Sequence, residues 1–262
     1  MVSLIRTIFN LLPSPLSSQL KRCFIAIREM LPIWVWTRRG RWVRSVYWKF
    51  GQDQRNYVLL SIARFLHINR PVPGYYFEFG CNEANTIRNA WSCFEHLFDF
   101  HYVGFDSFEG LPEIAEIDKQ QIWAKGKLAF AEDEFIRRAV AHGIPREKLT
   151  TVKGFYDSSL TEDVKIRFLP TKAAVIYIDC DLYASTVPVL EWVKDFLQTG
   201  TVIVFDDWYC FCGDPTRGEQ RAWSEFIAAN PELRFKPFVS TNEAQSFIFL
   251  GKCGLGPESC PI

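Results

Sequence analysis

Residues 174–208 constrain the fold more than any other stretch, because they have the pattern of a strand, a helix and a second strand. Ala174 to Ile178 is a nearly continuous apolar run rich in β-branched residues. Such a run is typical of a strand buried on both faces of a parallel sheet. Thr201 to Phe205 has the same character. The segment therefore predicts an open α/β sheet with two parallel strands.

The segment between these strands has the features of a helix. Its apolar residues recur at helical spacing from Leu190 to Leu197. Ser185 or Thr186 is expected to cap its start, because a hydroxyl side chain can accept a hydrogen bond from a free amide of the first turn. Pro188 fits the first turn, and Gly200 is expected to end the helix.

Acidic residues follow both strands at once. Asp179 and Asp181 come after the first strand, and Asp206 and Asp207 come after the second. Ligands of open α/β sheets bind outside the carboxyl ends of the strands, so the four carboxylates are expected at one rim of a crevice. A single aspartate in such a place is equally typical of a cap or a surface turn. Four together indicate a bound cation, because unpaired acids would repel one another.

The rest of the chain extends this pattern. Helices are expected over residues 53–68, 132–142 and 218–230, and the long stretch from Leu111 to Lys148 is expected to form a lid or a crossover. The last two predicted strands have the pattern of a hairpin, which adds an antiparallel edge. The remaining predicted strands, in order, are Tyr75–Phe79, His101–Phe105, Leu149–Lys153, Phe235–Val239 and Ser246–Leu250. The predicted fold is α/β: a doubly wound, mostly parallel seven-stranded sheet with an antiparallel C-terminal edge.

Charge divides the chain. The full sequence has 30 Lys and Arg against 30 Asp and Glu, yet residues 1–50 hold nine basic residues and one acid, Glu29. We therefore expect a basic, Trp-rich N-terminal helical extension over residues 1–52, a main domain over 53–252 and a mobile tail over 253–262.

The N-terminal extension has two interpretations. Its tryptophans beside Lys and Arg suit peripheral contact with an anionic membrane surface, where indole rings prefer the boundary. It is equally compatible with a helical layer that covers the main domain. A nucleic-acid partner is not expected, because no recognised binding motif accompanies the basic residues. The tryptophans are Trp34, Trp36, Trp42 and Trp48.

The cysteines and apolar runs bear on the compartment. Eight cysteines scattered through a chain of this length favour reduced thiols over a disulfide framework. No uncharged apolar stretch is long enough to span a bilayer, and no clear signal peptide is present, so the cytoplasm is the expected compartment. Association into a homo-oligomer is compatible with the sequence. A zinc site is the weaker alternative for Cys210, Cys212, Cys253 and Cys260, whose spacing is not a standard one.

The first two strands indicate a nucleoside-bearing ligand. Gly80 lets the backbone turn sharply after the first strand, although Ala84 stands where a second glycine is usual. Asp106 ends the second strand and is placed to accept hydrogen bonds from both ribose hydroxyls. A turn or helix-capping acid is the alternative. The segment from Gly154 to Leu160 has two aromatic residues that could hold an adenine.

The chain resembles a known family in five short segments, which are EFGCNEANT, GFDSFEGLP, KGFYDSSL, IDCDLYAST and VIVFDDW. They are similar to segments of the macrocin and mycinamicin sugar O-methyltransferases and their novobiocin-pathway relative. These are class I methyltransferases dependent on S-adenosylmethionine. The resemblance covers roughly residues 53–252 and implies a Rossmann-like methyltransferase fold and an O-methyltransferase activity. The implied acceptor is a sugar-containing glycan, glycolipid or natural product.

The resemblance also implies roles for single residues. In this family, and more distantly in catechol O-methyltransferase, positions matching Asp179, Asp206 and Asp207 hold a magnesium ion, so Asp179 and Asp207 would act in catalysis. The role of Asp181 stays open. The lysine base of the catechol enzymes is replaced here by Leu182. The implied cofactor-binding residues are Glu78, Gly80, Asp106, Ser107, Phe155, Tyr156, Asp157 and Asp179.

Two other functions stay open at this point. Asp179-Cys180-Asp181 is a D-x-D sequence that a metal-dependent glycosyltransferase could use to hold a nucleotide sugar. A catalytically degenerate methyltransferase fold could serve as a binding protein, as the loss of glycine at Ala84 suggests. Methyl transfer explains more of the sequence, because a divalent ion on a sugar hydroxyl stabilises the developing alkoxide and magnesium prefers carboxylate oxygens.

Overall fold

The computed structural model describes residues 38–69 and 72–253. Most of the predicted extension and nearly all of the predicted tail lie outside the described residues. The chain divides into two compact units, residues 1–53 and 54–262. The described part of the first unit, residues 38–53, is helical.

The first described helix, α1 (Arg38–Ile68), begins well before the predicted start at residue 53. In its first half the side chains of Trp42, Tyr47 and Trp48 are more than 60% exposed. Its second half buries one face against the sheet, through Val58, Leu59, Ile62 and Leu66. No helix in the described ranges is both long and apolar enough to cross a membrane.

As the sequence predicts, seven strands of the described ranges form one sheet, and their order in it is β3-β2-β1-β4-β5-β7-β6. The first five pair in parallel, and β7 joins the sheet antiparallel to β5 and β6. The strands are β1 (Tyr75–Phe79), β2 (His101–Asp106), β3 (Leu149–Lys153), β4 (Ala173–Ile178), β5 (Val202–Phe205), β6 (Leu233–Ser240) and β7 (Gln245–Lys252).

Helices cover both faces of the sheet, because its central strands are apolar on both sides. Every residue of β4 is buried. One face packs on α1, α2 (Asn85–Phe94) and α3 (Glu132–Ala141). The other packs on α5 (Glu162–Phe168), α6 (Tyr183–Val193) and α7 (Gly218–Ala229), while α4 (Tyr156–Ser159) is a single turn after β3.

Helix α6 differs from its prediction at both ends. It begins at Tyr183, so Ser185 and Thr186 lie inside it and cannot cap its start. The Thr186 hydroxyl instead donates to the Leu182 carbonyl inside the helix. The α-helix ends at Val193 and continues as a 3-10 turn to Phe196, so Gly200 lies beyond its end. The start of α6 is capped from another part of the chain, as described below.

Candidate active site

A cavity of about 720 Å³ opens at the carboxyl ends of the central strands. This is the place that the open-sheet rule assigns to a ligand. It brings together ten of the eleven residues that the sequence singled out as site candidates, namely Gly80, Asp106, Ser107, Phe155, Tyr156, Asp157, Asp179, Asp181, Asp206 and Asp207. The exception is Glu78, which does not line the cavity.

The register of the sheet places the first two acids side by side. Ile178 of β4 pairs with Phe205 of β5, and each strand then continues into an aspartate. The amide of Asp179 donates to the Phe79 carbonyl over 2.8 Å, and that of Asp206 donates to the Ile178 carbonyl over 2.9 Å. Parallel strands lie about 4.8 Å apart, so these carboxylates share one end of the sheet.

Asp206 is tied to an arginine that the sequence did not single out. Arg55 Nη2 donates to Asp206 Oδ2 over 2.6 Å, and the Tyr177 hydroxyl donates to Asp206 Oδ1. Burial opposes the charged guanidinium, but Asp206 holds the pKa of Arg55 above its ordinary value. Arg55 lies in helical phase with the buried residues Val58 and Ile62, and a basic residue in that phase is the signal that could have found it.

Asp207 is held by a second acid that the sequence did not single out. Glu219, in the first turn of α7, accepts a 3.1 Å hydrogen bond from the Asp207 amide through its Oε2. The Glu219 side chain is buried. Asp207 Oδ2 and Glu219 Oε1 are both buried, and neither has a hydrogen-bond partner among the described residues. An acid in the first turn of a helix is ordinary in sequence, so its role could not be recognised there.

Five acids of like charge lie close together and are here called the acid cluster. They are Asp179, Asp181, Asp206, Asp207 and Glu219. Burial and the Asp206 charge raise the pKa of Asp179, and burial and Asp181 raise that of Asp207. Burial and Asp179 raise the pKa of Asp181 to about 7. Burial followed by Asp207 raises the pKa of Glu219. Like charges in a desolvated site favour a cation, which would relieve this repulsion.

The backbone at Asp181 is in the left-handed region, with φ 59°. Such a conformation is uncommon outside glycine, although aspartate tolerates it better than most residues. The turn directs the chain from the end of β4 into α6. Unusual backbone of this kind is concentrated at functional sites.

Several features of the acid cluster fit a magnesium ion. All its candidate ligands are carboxylate oxygens, which Mg²⁺ prefers, and Asp207 Oδ2 has no partner among the described residues. Asp206 fits less simply, since both its oxygens already accept hydrogen bonds. No three His, Cys, Asp or Glu side chains in the described ranges are arranged as a complete metal-binding group. The metal role of Asp179, Asp206 and Asp207 therefore stays a prediction.

The loop after β1 forms the other half of the cavity. Gly80 has φ 89°, and a Cβ there would lie 1.8 Å from the Asp179 carbonyl oxygen. Glycine is thus required both by the sharp turn and by the close approach of the chain after β4. Ala84 precedes α2 with φ 62°, a conformation that glycine adopts without strain. This explains why a glycine is usual at that position.

Asp106 joins this loop to the end of β2. Its Oδ2 accepts hydrogen bonds from the amides of Cys81 at 2.7 Å and Asn82 at 3.3 Å, and its Oδ1 accepts from the Phe108 amide at 2.7 Å. The carboxylate therefore orders two loops at the cavity. A carboxylate has about four lone-pair positions, so ribose hydroxyls can still approach it.

Two other predicted cofactor residues have clear structural contacts. Tyr156 donates its hydroxyl to the Phe105 carbonyl at 3.1 Å, which fixes the start of α4 against β2. Glu78 is fully buried within β1, where its Oε2 accepts a 2.7 Å hydrogen bond from Tyr76. Burial raises the pKa of Glu78 to about 8. Glu78 therefore lies in the sheet behind the loop at Gly80, and its cofactor role stays a prediction.

Residues 111–128, here called the wall segment, form one side of the cavity. Leu111, Trp123 and Leu128 are among its lining residues. The Trp123 indole N–H is buried and has no partner among the described residues. The sequence predicted a lid or crossover here, but no sequence pattern identified Trp123 as a site residue.

A second cavity of about 490 Å³ lies at the opposite ends of the strands. It is lined by residues that include Gly74, His101 and Thr150. None of the acid-cluster residues lies there. Ligand sites of open α/β sheets belong to the carboxyl ends of the strands, so the larger cavity is the candidate active site.

Sequence comparison identifies related proteins. The model of the family described as macrocin O-methyltransferase (TylF) matches residues 95–230. A curated relative from Streptomyces olivaceus is 27% identical over 137 residues. That protein is 8-demethyl-8-(2,3-dimethoxy-alpha-L-rhamnosyl)-tetracenomycin-C 4′-O-methyltransferase. The alignment covers 48% of this chain and 44% of the relative, so the chain spans less than half the length of this relative.

Solved structures share the fold. CalS11, a calicheamicin methyltransferase, is 19% identical with a TM-score of 0.63, over 91% of this chain and 94% of that one. The O-methyltransferase NovP is 19% identical with a TM-score of 0.59, over 75% of this chain and 79% of that one. At this level of identity the likeness establishes the Rossmann-like methyltransferase fold.

Proposed function

Because the chain belongs to the macrocin O-methyltransferase family, we propose that it transfers a methyl group from S-adenosylmethionine to a hydroxyl of a sugar-containing acceptor. The observation that carries this proposal is that the four aspartates of the acid cluster line the same cavity as Asp106 and the loop at Gly80. One half of the cavity suits a nucleoside, and the other half suits a cation with an oxygen-rich acceptor.

Two groups of cavity residues would have different roles in an in-line displacement. Gly80, Asp106 and Tyr156 would bind and orient the methyl donor. The acid cluster would fix the acceptor hydroxyl in line with the methyl group, since positioning supplies much of such a rate enhancement. The methyl group leaves the sulfonium sulfur and bonds to the acceptor oxygen, and the hydroxyl proton passes to a carboxylate or to water.

The acid cluster supports the further proposal that the site binds a magnesium ion. Asp179 and Asp207 would hold it, with Asp206 sharing its oxygens between the ion and Arg55. When bound, the ion supplies Lewis-acid stabilisation of the negative charge that develops on the acceptor oxygen. Glu219 would keep Asp207 in position through the hydrogen bond to its amide.

The nature of the acceptor follows from the relatives. The Streptomyces relative is described as acting on a rhamnosyl-tetracenomycin, and a further CalS11 structure is described as a TDP-rhamnose 3′-O-methyltransferase. A deoxysugar, free on a nucleotide or attached to a larger molecule, is therefore the acceptor class that we propose. Mass spectrometry of small molecules that co-purify with the protein would identify candidates.

Calorimetry tests the proposed methyl donor against the glycosyltransferase alternative. Titration of the full chain with S-adenosylmethionine should give saturable binding, whereas a nucleotide diphosphate sugar whose sugar is not a deoxysugar should bind at least tenfold more weakly, a difference of about 1.4 kcal/mol. The opposite order would support the D-x-D interpretation. Absence of S-adenosylmethionine binding would support the degenerate binding protein.

The exposed half of α1 favours a second role, contact with an anionic membrane surface. Trp42, Tyr47 and Trp48 are exposed there beside Arg41 and Arg44. Aromatic rings with neighbouring cations suit the boundary of anionic lipids. Full-length protein should therefore sediment with phosphatidylserine vesicles at low salt but not with phosphatidylcholine vesicles. Failure to sediment with the anionic vesicles at low salt would contradict this role.

A further inference from the structure

The wall segment is anchored to the start of α6 by Asp118. This residue is fully buried at the end of a 3-10 turn, Glu116–Asp118. Its Oδ1 accepts a 2.8 Å hydrogen bond from the Tyr183 amide, and its Oδ2 accepts a 3.0 Å bond from the Ala184 amide. Asp118 therefore caps α6 from 65 positions away in sequence, and its charge favours the positive end of the helix.

Arg217 anchors the same turn from the other side. Its Nη2 donates to the carbonyls of Ile117 and Lys119, each over 2.9 Å, and its Nε donates to the Ile117 carbonyl over 3.2 Å. A guanidinium with several fixed donors suits this bridging role. The guanidinium carbon of Arg217 also lies 4.6 Å from the centre of the Phe211 ring, a cation–π contact that helps to hold the same group.

Asp118 and Arg217 join the wall segment to the two chain segments that carry the acids. Asp118 binds the amides that come two and three residues after Asp181. Arg217 lies two residues before Glu219, which binds the Asp207 amide. Asp118 and Arg217, here called the anchor, thus fix the wall segment relative to the chain segment that carries Asp181 and the one that carries Glu219.

The two ends of the wall segment are joined to each other by backbone hydrogen bonds. The Gly126 amide donates to the Leu111 carbonyl at 2.9 Å, and the Leu111 amide donates to the Lys127 carbonyl at 2.8 Å. The Lys127 ammonium lies 5.8 Å from the centre of the Trp123 ring, and both Trp123 and Asp181 line the cavity. Trp123 therefore lies in the part of the wall that faces the acceptor half of the cavity.

We propose that Asp118 and Arg217 are positioning residues that hold the wall segment against the acid cluster and so shape the acceptor-binding side of the cavity. This inference rests on the proposed function for its acceptor, but the closure that it describes can be measured in the protein alone. Among the described residues, no hydrogen bond or ion pair joins Asp118 or Arg217 to Gly80 or Asp106, so donor binding should be insensitive to the anchor.

Hydrogen–deuterium exchange with mass spectrometry tests the anchor in Asp118→Asn and Arg217→Met. An asparagine offers one acceptor oxygen where Asp118 offers two, and a methionine offers no donor. Both substitutions should speed amide exchange of residues 112–126 by roughly tenfold or more while the central strands stay protected. Carbodiimide labelling of Asp181 and Asp207 should also become faster. Arg217→Lys, which keeps the charge and donors, should restore part of the protection.

Two matched controls remove an exposed charge without touching the anchor residues. Glu116→Gln removes an exposed carboxylate in the same turn, and Glu191→Gln removes an exposed carboxylate farther along α6. Both should leave exchange and labelling unchanged. S-adenosylmethionine affinity by calorimetry should stay within about threefold in every variant.

Three outcomes would overturn the inference. Unchanged exchange in Asp118→Asn and Arg217→Met means that the anchor does not hold the wall segment. Equal loss of protection in the wall segment and the central strands means that these residues only stabilise the fold. Loss of donor binding without faster labelling of Asp181 and Asp207 assigns the anchor to the cofactor half. Failure of the proposed function would appear instead as absent donor binding in the unsubstituted protein.

Discussion

Arg55 Nη2 lies 2.6 Å from Asp206 Oδ2, so a cation from the helix before the sheet neutralises an acid at the end of its fifth strand. The Asp206 side chain is 7% exposed and the Arg55 side chain is 23% exposed. The acid cluster therefore keeps one permanent positive charge beside it. This pair links the stability of the domain to the electrostatics of the proposed metal site.

Arg55→Met should destabilise the protein and make it more responsive to magnesium. Removal of one partner of a mostly buried ion pair leaves Asp206 uncompensated, which should cost about 3 kcal/mol of the free energy of unfolding. Added Mg²⁺ should recover more stability in this variant than in the unsubstituted protein, since the ion meets less repulsion. Urea denaturation with and without Mg²⁺ measures both effects. Arg167→Met, at an exposed position, is the control, and equal magnesium responses would refute the expectation.

Asp106→Ala should weaken S-adenosylmethionine binding by roughly 1–3 kcal/mol, because polar groups of the ligand lose a charged partner and two loops lose their common acceptor. Asp106→Asn keeps the shape and part of the hydrogen bonding, so its loss should be smaller. Calorimetric affinities measure both. Asp133→Ala, on the exposed side of α3, should bind normally. Unchanged affinity in Asp106→Ala would show that this carboxylate only orders the turn.

Glu78 should make the folded state less stable as the pH rises. Its pKa in the folded protein is about 8 against an ordinary value of 4.5, so between these values the folded state binds one more proton than the unfolded state. The stability that this proton contributes is fully present below the pKa of Glu78 in the unfolded chain, 4.5. It is lost as the pH rises through the pKa in the folded protein, about 8. The slope is at most about 1.4 kcal/mol per pH unit.

Glu78→Gln removes this titration and can still accept the Tyr76 hydrogen bond. Its free energy of unfolding should therefore fall less between pH 5.5 and 8 than that of the unsubstituted protein, as measured by urea denaturation. Parallel pH profiles for the two proteins would show that Glu78 is ionised in the fold throughout this range.

Most of the fold could be predicted because its signals are local. Buried strands such as Ala173–Ile178 are recognisable as apolar runs, and the acids that follow them are adjacent in sequence. The start of α6 could not be predicted, since its cap is Asp118, which is remote in sequence. Ser185 was a reasonable candidate on local grounds, but tertiary structure supplied a stronger acceptor.

The candidate site was only partly predictable for the same reason. Asp179 and Asp207 stand at strand ends, where position alone indicates function. Arg55 and Glu219 stand on helices and Arg217 directly precedes one, and charged residues at such positions are usually solvent-exposed. Only the packing of those helices on the sheet brings Arg55 and Glu219 to the acid cluster and Arg217 to the wall segment.

Trp123→Phe tests whether the wall segment contacts the acceptor. Phenylalanine keeps an aromatic surface but removes the buried indole N–H that lacks a partner among the described residues. The KM for TDP-rhamnose or another accepted deoxysugar should rise roughly tenfold, the effect of one lost hydrogen bond to a ligand, with kcat changed less. Trp42→Phe, far along α1 at an exposed position, should leave both constants unchanged. Equal kinetics in Trp123→Phe would remove this residue from the acceptor site.

Asp207→Ala should separate catalysis from donor binding. The carboxylate that is proposed to hold the ion is lost, whereas Gly80 and Asp106 remain. Turnover should fall by orders of magnitude, while S-adenosylmethionine affinity should stay within about tenfold, or 1.4 kcal/mol. Calorimetry and methyl-transfer rates on the same preparation measure the two effects. A parallel loss of both would assign Asp207 to the donor site.

Methyl transfer from labelled S-adenosylmethionine to a diol-bearing deoxysugar acceptor, measured with and without a chelator, tests the metal-dependent function most directly. Chelation should stop transfer and leave donor binding largely intact, and added magnesium should restore the rate, because carboxylate oxygens would again hold the Lewis acid. Full turnover in metal-free buffer would contradict the role assigned to Asp179, Asp206 and Asp207.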